Sequence, residues 1–194
     1  MFAMRRGFTL VELLIVIAVV SILFAVAAPW VLSARRTAHE TSAVHSLDAI
    51  NVAQAAFKEH CGRGQYAASL TGLGVPVPTT GQAFLSPDLT SADEVVKAGY
   101  RILMTTDPNM LPANPESIPD NPEATTTSPQ PRQGCNGVPT VPAYVITADP
   151  VQPGTSGTRF FGTNGGRVIY VSPESLVGKM PPEGAPEGAV ELRR

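Results

Sequence analysis

The chain has little of what usually carries chemistry. Its 194 residues include three histidines, His39, His45 and His60, and two cysteines, Cys61 and Cys135. No histidines fall in a spacing such as H-E-x-x-H that would set two metal ligands on one helical face, and His60 and Cys61, being adjacent, diverge on a helix. Asp149 and Asn164 offer oxygen, but no dense acidic loop of the kind hard cations require surrounds them. Nucleophile elbows, phosphate-binding loops and paired carboxylates are also missing, so the sequence implies no enzyme, no cofactor and no metal. Basic charge is scarce too: 14 Lys and Arg stand against 16 Asp and Glu, a net charge of -2. Removing the first seven residues, Arg5 and Arg6 among them, leaves 12 against 16. With no basic run longer than a pair, nucleic acid is not expected as a partner.

Charge is missing in another sense from Phe8 to Ala28, where Glu12 is the lone ionised side chain. As a helix this run would span roughly 30 Å, the thickness of a bilayer's hydrocarbon core. Arg5 and Arg6 precede it and favour a cytoplasmic N-terminus, although Arg35 and Arg36 blunt the asymmetry. One reading is a secretory signal peptide, with Ala25-Val26-Ala27 as the A-x-A cleavage pattern and a soluble binding domain released beyond it. That reading leaves Glu12 without a purpose, since an acid at the centre of a membrane helix costs about 3 kcal/mol on insertion scales. If the chain is instead cut after Gly7, the new amino group at Phe8 lies about one helical turn from Glu12 and supplies the counter-charge, within one chain or between neighbours.

The residues Arg6-Gly7-Phe8-Thr9-Leu10-Val11-Glu12-Leu13 and the short leader before them resemble the processing site of type IV pilins and type II secretion pseudopilins. The resemblance implies that a prepilin peptidase cuts after Gly7 and methylates Phe8, that Glu12 recruits and registers subunits in a filament, and that Pro29 bends the helix. It further implies self-association and association with homologous pilins or pseudopilins, an inner-membrane assembly platform, and a single membrane pass. The C-terminal domain would be periplasmic before assembly and would lie at the cell surface or in a periplasmic pseudopilus after it. Pilus and secretion pseudopilus stay open as alternatives.

Beyond Pro29, Ala43, Leu47, Ile50, Gln54 and Phe57 fall at spacings of three and four, one stripe of a helix continuing to about His60. Cys61-Gly62 ends it. Two cysteines in an exported chain favour one disulfide, with two unrelated buried thiols as the alternative. Tyr66, Leu70 and Leu73 resemble the residues that lock the pilin αβ loop onto its helix, and Ser91 to Ala98 suggests one or two helical turns. Strand-like stretches follow at 100–106, 143–148, 158–162 and 167–171, and the last two should pair through Asn164-Gly165, a dipeptide suited to positive φ.

The expected fold is therefore α+β: a long N-terminal helix, half membrane-spanning and half amphipathic, packed on a small antiparallel sheet in the manner of type IV pilins. Its expected organisation is a leader at 1–7, a transmembrane or filament-core helix at 8–32, and the amphipathic continuation at 33–61. An αβ loop at 62–98 and a sheet at 99–172 follow, the sheet carrying an insertion at 107–142 with nine prolines, and a flexible tail occupies 173–194.

Overall fold

The computed structural model describes residues 8–106 and 132–192, including the side chains of all but residues 26–29. The expected leader, most of the Pro-rich insertion and the last two residues lie outside the described part, as does the side chain of Pro29. Helix α1 runs Leu10–His60. Its parts Leu10–Ala25 and Trp30–His60 meet at 43° across the four residues between them. No single helix among the described residues is long and apolar enough to cross a membrane; the bent pair taken together meets that requirement by length and composition only.

The two parts of α1 face different surroundings. Leu10, Ile17 and Phe24 stand 79%, 57% and 70% exposed, so the first part is not buried against any other described part of the chain. In the second part Ala43, Leu47, Ile50, Ala53, Phe57 and Cys61 are buried at three- and four-residue spacings, the stripe that the periodicity predicts.

That stripe rests on a six-stranded antiparallel sheet of β2 (Glu94–Lys97), β3 (Tyr100–Thr105), β5 (Val145–Pro150), β6 (Phe160–Asn164), β7 (Ile169–Ser172) and β8 (Val190–Glu191), in that spatial order. A second sheet pairs β1 (Tyr66–Ala67) with β4 (Thr140–Val141). The short helices α2 (Leu70–Leu73) and α3 (Pro87–Thr90) lie in the loop after α1. The fold is α+β, a long N-terminal helix on an antiparallel sheet, and is consistent with the pilin-like architecture. Tyr100, Ile102 and Met104 alternate toward the helix with Ile146, Ala148, Phe161 and Ile169, forming one core with the α1 stripe. Tyr66, Leu70 and Leu73 are buried in that core and carry the αβ loop onto it.

Three expectations differ from the structure. Residues 91–98 do not make helical turns: α3 occupies Pro87–Thr90, with proline at its start, and Glu94–Lys97 is a strand. Val95 and Val96 are β-branched and point to opposite faces, one buried and one exposed, which is a period of two. Ala98 and Gly99, at φ 47° and 74°, close a two-residue hairpin onto β3, the geometry whose twist matches that of the strands.

The turn between β6 and β7 does not place its positive φ on Asn-Gly. Arg167 takes it, at φ 60°, while the Asn164 carbonyl accepts from the Arg167 N–H at 2.8 Å. Asn164 is fully buried, and its amide donates to the carbonyls of Pro181 and Gly184 at 3.0 and 2.8 Å.

Those carbonyls belong to the stretch expected to be a flexible tail. Residues 173–189 cross the outer face of the sheet, where Leu176 and Met180 form a second apolar cluster with Val145 and Tyr170, and β8 then pairs with β7. Two apolar side chains and the Asn164 anchor give an otherwise Pro- and Gly-rich segment surface to bury, which its composition conceals.

Candidate assembly site

The helix start is built locally. Thr9 caps α1, its hydroxyl accepting from the Glu12 N–H at 3.2 Å, so Thr9-Leu10-Val11-Glu12 has the spacing of a capping box. Glu12 sits in the first turn, where its negative charge also meets the positive end of the helix dipole. This local reason for an acid was missed by reading the sequence only for membrane cost. It does not neutralise the carboxylate, which has no ion pair among the described residues. Phe8 is 78% exposed just before the cap. Gly7 lies outside the described residues.

The second part of α1 is stitched to the sheet by polar side chains set among the apolar stripe. Glu40 is buried, with one carboxylate oxygen accepting from the Thr158 N–H at 2.9 Å and its hydroxyl at 3.1 Å. The other accepts from Arg159 Nε at 2.8 Å and meets Nη2 at 2.7 Å. Burial works to raise the Glu40 pKa, but the Thr158 N–H, the Arg159 bonds and charge, and the Thr158 hydroxyl outweigh it, so the carboxyl sits below its ordinary range. Beside it, His39 Nδ1 donates to the Ser156 carbonyl at 3.1 Å and Tyr100 donates to the Arg159 carbonyl at 2.8 Å. Burial, with the Glu40 charge next, raises the Tyr100 hydroxyl's pKa, so it stays protonated to hold that bond.

About three turns of helix farther on comes Asn51, whose amide nitrogen donates to Thr163 Oγ1 at 2.9 Å. Its oxygen accepts from the Tyr144 hydroxyl at 3.0 Å. Gln54 grips the backbone of β1 with both ends, accepting from the Ala67 N–H at 2.9 Å and donating to the Ala67 carbonyl at 3.0 Å. Sequence reasoning placed Gln54 on the buried stripe but missed Glu40 and Asn51. The available signal was spacing: Glu40 stands three residues before Ala43 and Asn51 four after Leu47, on the same helical face. Their partners are 93 to 119 residues away in the chain.

At the end of the rod Cys61 and Cys135 form a disulfide across a sequence separation of 74 residues. The Cys135 N–H also donates to the Cys61 carbonyl at 3.0 Å. Among the described residues no group of three or more His, Cys, Asp and Glu side chains could hold a metal ion. His39, His45 and His60 are not brought together. Asp149 is used otherwise: one oxygen accepts from the Ser175 hydroxyl of the C-terminal segment and the other is buried without a hydrogen bond.

Residues 3–28 match the family described as the prokaryotic N-terminal methylation motif, the prepilin-type signature. No curated protein and no solved structure was matched by the chain. The signature supports a pilin-like or pseudopilin protein, and it is a structural motif rather than an enzymatic one. It implies processing by prepilin peptidase and a membrane-anchored precursor.

Proposed function

We propose that the chain is a structural subunit of a type IV pilus-like filament, processed after Gly7, methylated at Phe8 and assembled through α1. The observation that carries this reading is the pairing of the methylation motif with a helix end left exposed among the described residues. Leu10–Ala25 presents apolar side chains on every side, and Glu12 has no ion-pair partner among the described residues. In the membrane such a helix contacts lipid. On assembly it exchanges lipid for packing against copies of itself, and the Glu12 carboxylate pairs with the Phe8 amine of its own or a neighbouring subunit. The bend between Leu10–Ala25 and Trp30–His60 falls beside Pro29, whose missing N–H removes one helical hydrogen bond.

In this reading residues 8–32 form the membrane and filament-core segment, with the N-terminus cytoplasmic and the C-terminal domain periplasmic until assembly. The polar bonds of Glu40, Asn51 and Gln54 make the domain rigid relative to the rod, which a subunit that transmits load requires. A secretion pseudopilin has the same signature and the same plan. The location of the assembled filament distinguishes the two. The test is Glu12→Ala in a cell supplying prepilin peptidase and an assembly platform. Membrane insertion should be unchanged while incorporation into sheared or pelleted filaments falls; normal incorporation refutes the role given to the carboxylate.

A further inference from the structure

Arg35 and Arg36 stand beyond the apolar run, where they oppose the orientation that Arg5 and Arg6 favour. Their own stretch of chain offers them no counter-charge. The sequence holds no acid between Glu12 and Glu40, and the Glu40 carboxylate is taken by Thr158 and Arg159. Arg35 is exposed and Arg36 half-buried, and neither forms an ion pair among the described residues. The described residues that flank 107–131 sit toward the other end of the rod. Met104 lies against Gln54, and Arg132 bonds Thr140 beside Gln65, so both are at least about 28 Å of helix from Arg35.

The turn of helix before these arginines is apolar and uncovered. Trp30 is 77% exposed, and Val31 and Leu32 are exposed with it. Ser33, Ala34 and Thr37 line a groove of about 450 Å³ beside the indole. The domain takes hold of α1 only farther on, at His39 and Glu40. From Leu10 to Trp30 is about 30 Å of helix, the thickness of a hydrocarbon core, and Arg35 and Arg36 lie about 8–9 Å beyond Trp30. An indole at the edge of the core followed by cations at headgroup depth reproduces the layering of a membrane interface. The two guanidinium groups leave the helix roughly 140° and 240° around from Trp30, on opposite flanks of the rod. Each is a planar fork of donors, the shape that takes two phosphate oxygens together.

We infer that Trp30, Arg35 and Arg36 form an interfacial collar that holds the phosphates of anionic phospholipids around the unassembled chain. The collar fixes the depth of α1 in the bilayer and releases those headgroups when the chain leaves for a filament. This inference rests on the reading of residues 8–32 as the membrane segment.

Trp30 is the chain's one tryptophan, so its fluorescence reports this depth alone. The test places the full-length chain, at a low protein-to-lipid ratio, in mixed vesicles of phosphatidylcholine and phosphatidylglycerol, with one lipid or the other brominated on its acyl chains. Bromines nearest the carbonyl end should quench Trp30 most. Brominated phosphatidylglycerol should quench as though enriched at least about threefold around the indole. High salt and R35Q/R36Q should each bring that enrichment down to about one, whereas R35K/R36K should keep most of it. Equal quenching by the two lipids in the wild-type chain overturns the inference and leaves the membrane segment standing, as does an enrichment that survives R35Q/R36Q. Shielding of Trp30 that grows with the protein-to-lipid ratio would mean that a second copy covers the indole, and it overturns the inference too. If bromines at no depth quench Trp30 at any protein-to-lipid ratio, the membrane reading of residues 8–32 fails and the inference with it.

Discussion

Replacing Asn51 with leucine tests whether the rod and the sheet are joined by a specific polar network or only by apolar contact. Asn51, Tyr144 and Thr163 are 3%, 1% and 0% exposed, so water cannot replace a lost partner. Leucine keeps the volume and removes the amide. It leaves the Tyr144 hydroxyl without its acceptor and the Thr163 hydroxyl without the amide that both donates to it and accepts from it. A buried polar group left unsatisfied costs about 1–3 kcal/mol, so two should cost roughly 2–6 kcal/mol. Against a total stability of about 5–15 kcal/mol that is a large fraction. Removing all three polar groups together, as N51L/Y144F/T163V, should recover most of the loss and leave a deficit of about 1 kcal/mol, because no orphaned group remains. Urea titration of the full-length chain in micelles, followed by near-ultraviolet circular dichroism, reads both midpoints. A single variant that loses under about 1 kcal/mol, or a triple variant less stable than the single one, would refute the reasoning.

Other outcomes follow from the same geometry. Removing the Cys61–Cys135 bond as C61S/C135S should cost about 4 kcal/mol for a closed loop of this length, read as a lower urea midpoint; an unchanged midpoint contradicts it. Burial raises the Asp149 pKa above its usual value, against the Ser175 bond and the Arg101 charge. The associated stability is therefore fully present below the ordinary 3.8 and lost as pH rises through the folded value. D149N should raise the melting temperature at pH 7, and the difference should vanish in acid. Glu40 has the opposite sign. Its depressed pKa stabilises above the ordinary 4.5 and that contribution is lost as pH falls through the lower folded value, so E40Q should destabilise at neutral pH and progressively less in acid. At Gly157 an added Cβ would stand 2.0 Å from the Tyr100 hydroxyl, and G157A should therefore displace Tyr100 and lower the midpoint substantially; a midpoint equal to wild type would contradict that packing.

What the sequence made legible was local. The prepilin signature is contiguous, and the helical stripe from Ala43 to Phe57 follows from spacing alone. The β3, β5, β6 and β7 strands declare themselves by β-branched and aromatic residues, with ends differing by two residues or so. What it hid depends on partners far away in the chain. Glu40 reads as a surface acid until the β5–β6 connection brings Thr158 and Arg159 over it. β2 is four residues long, and its hairpin turn uses Ala98 in a left-handed conformation, a position where composition points to glycine or asparagine. The segment after Ser172 carries the composition of a disordered tail, and only the fold reveals that Leu176, Met180 and the Asn164 amide suffice to hold it.

The central claim is that the N-terminal segment is an assembly device and not a signal for release. Intact mass and N-terminal sequence of the mature chain, made in a cell with a prepilin peptidase and recovered from membrane and sheared fractions, test it most directly. The account predicts a chain that begins at a methylated Phe8 and is present in the filament fraction. A chain that begins at Ala28 would contradict it.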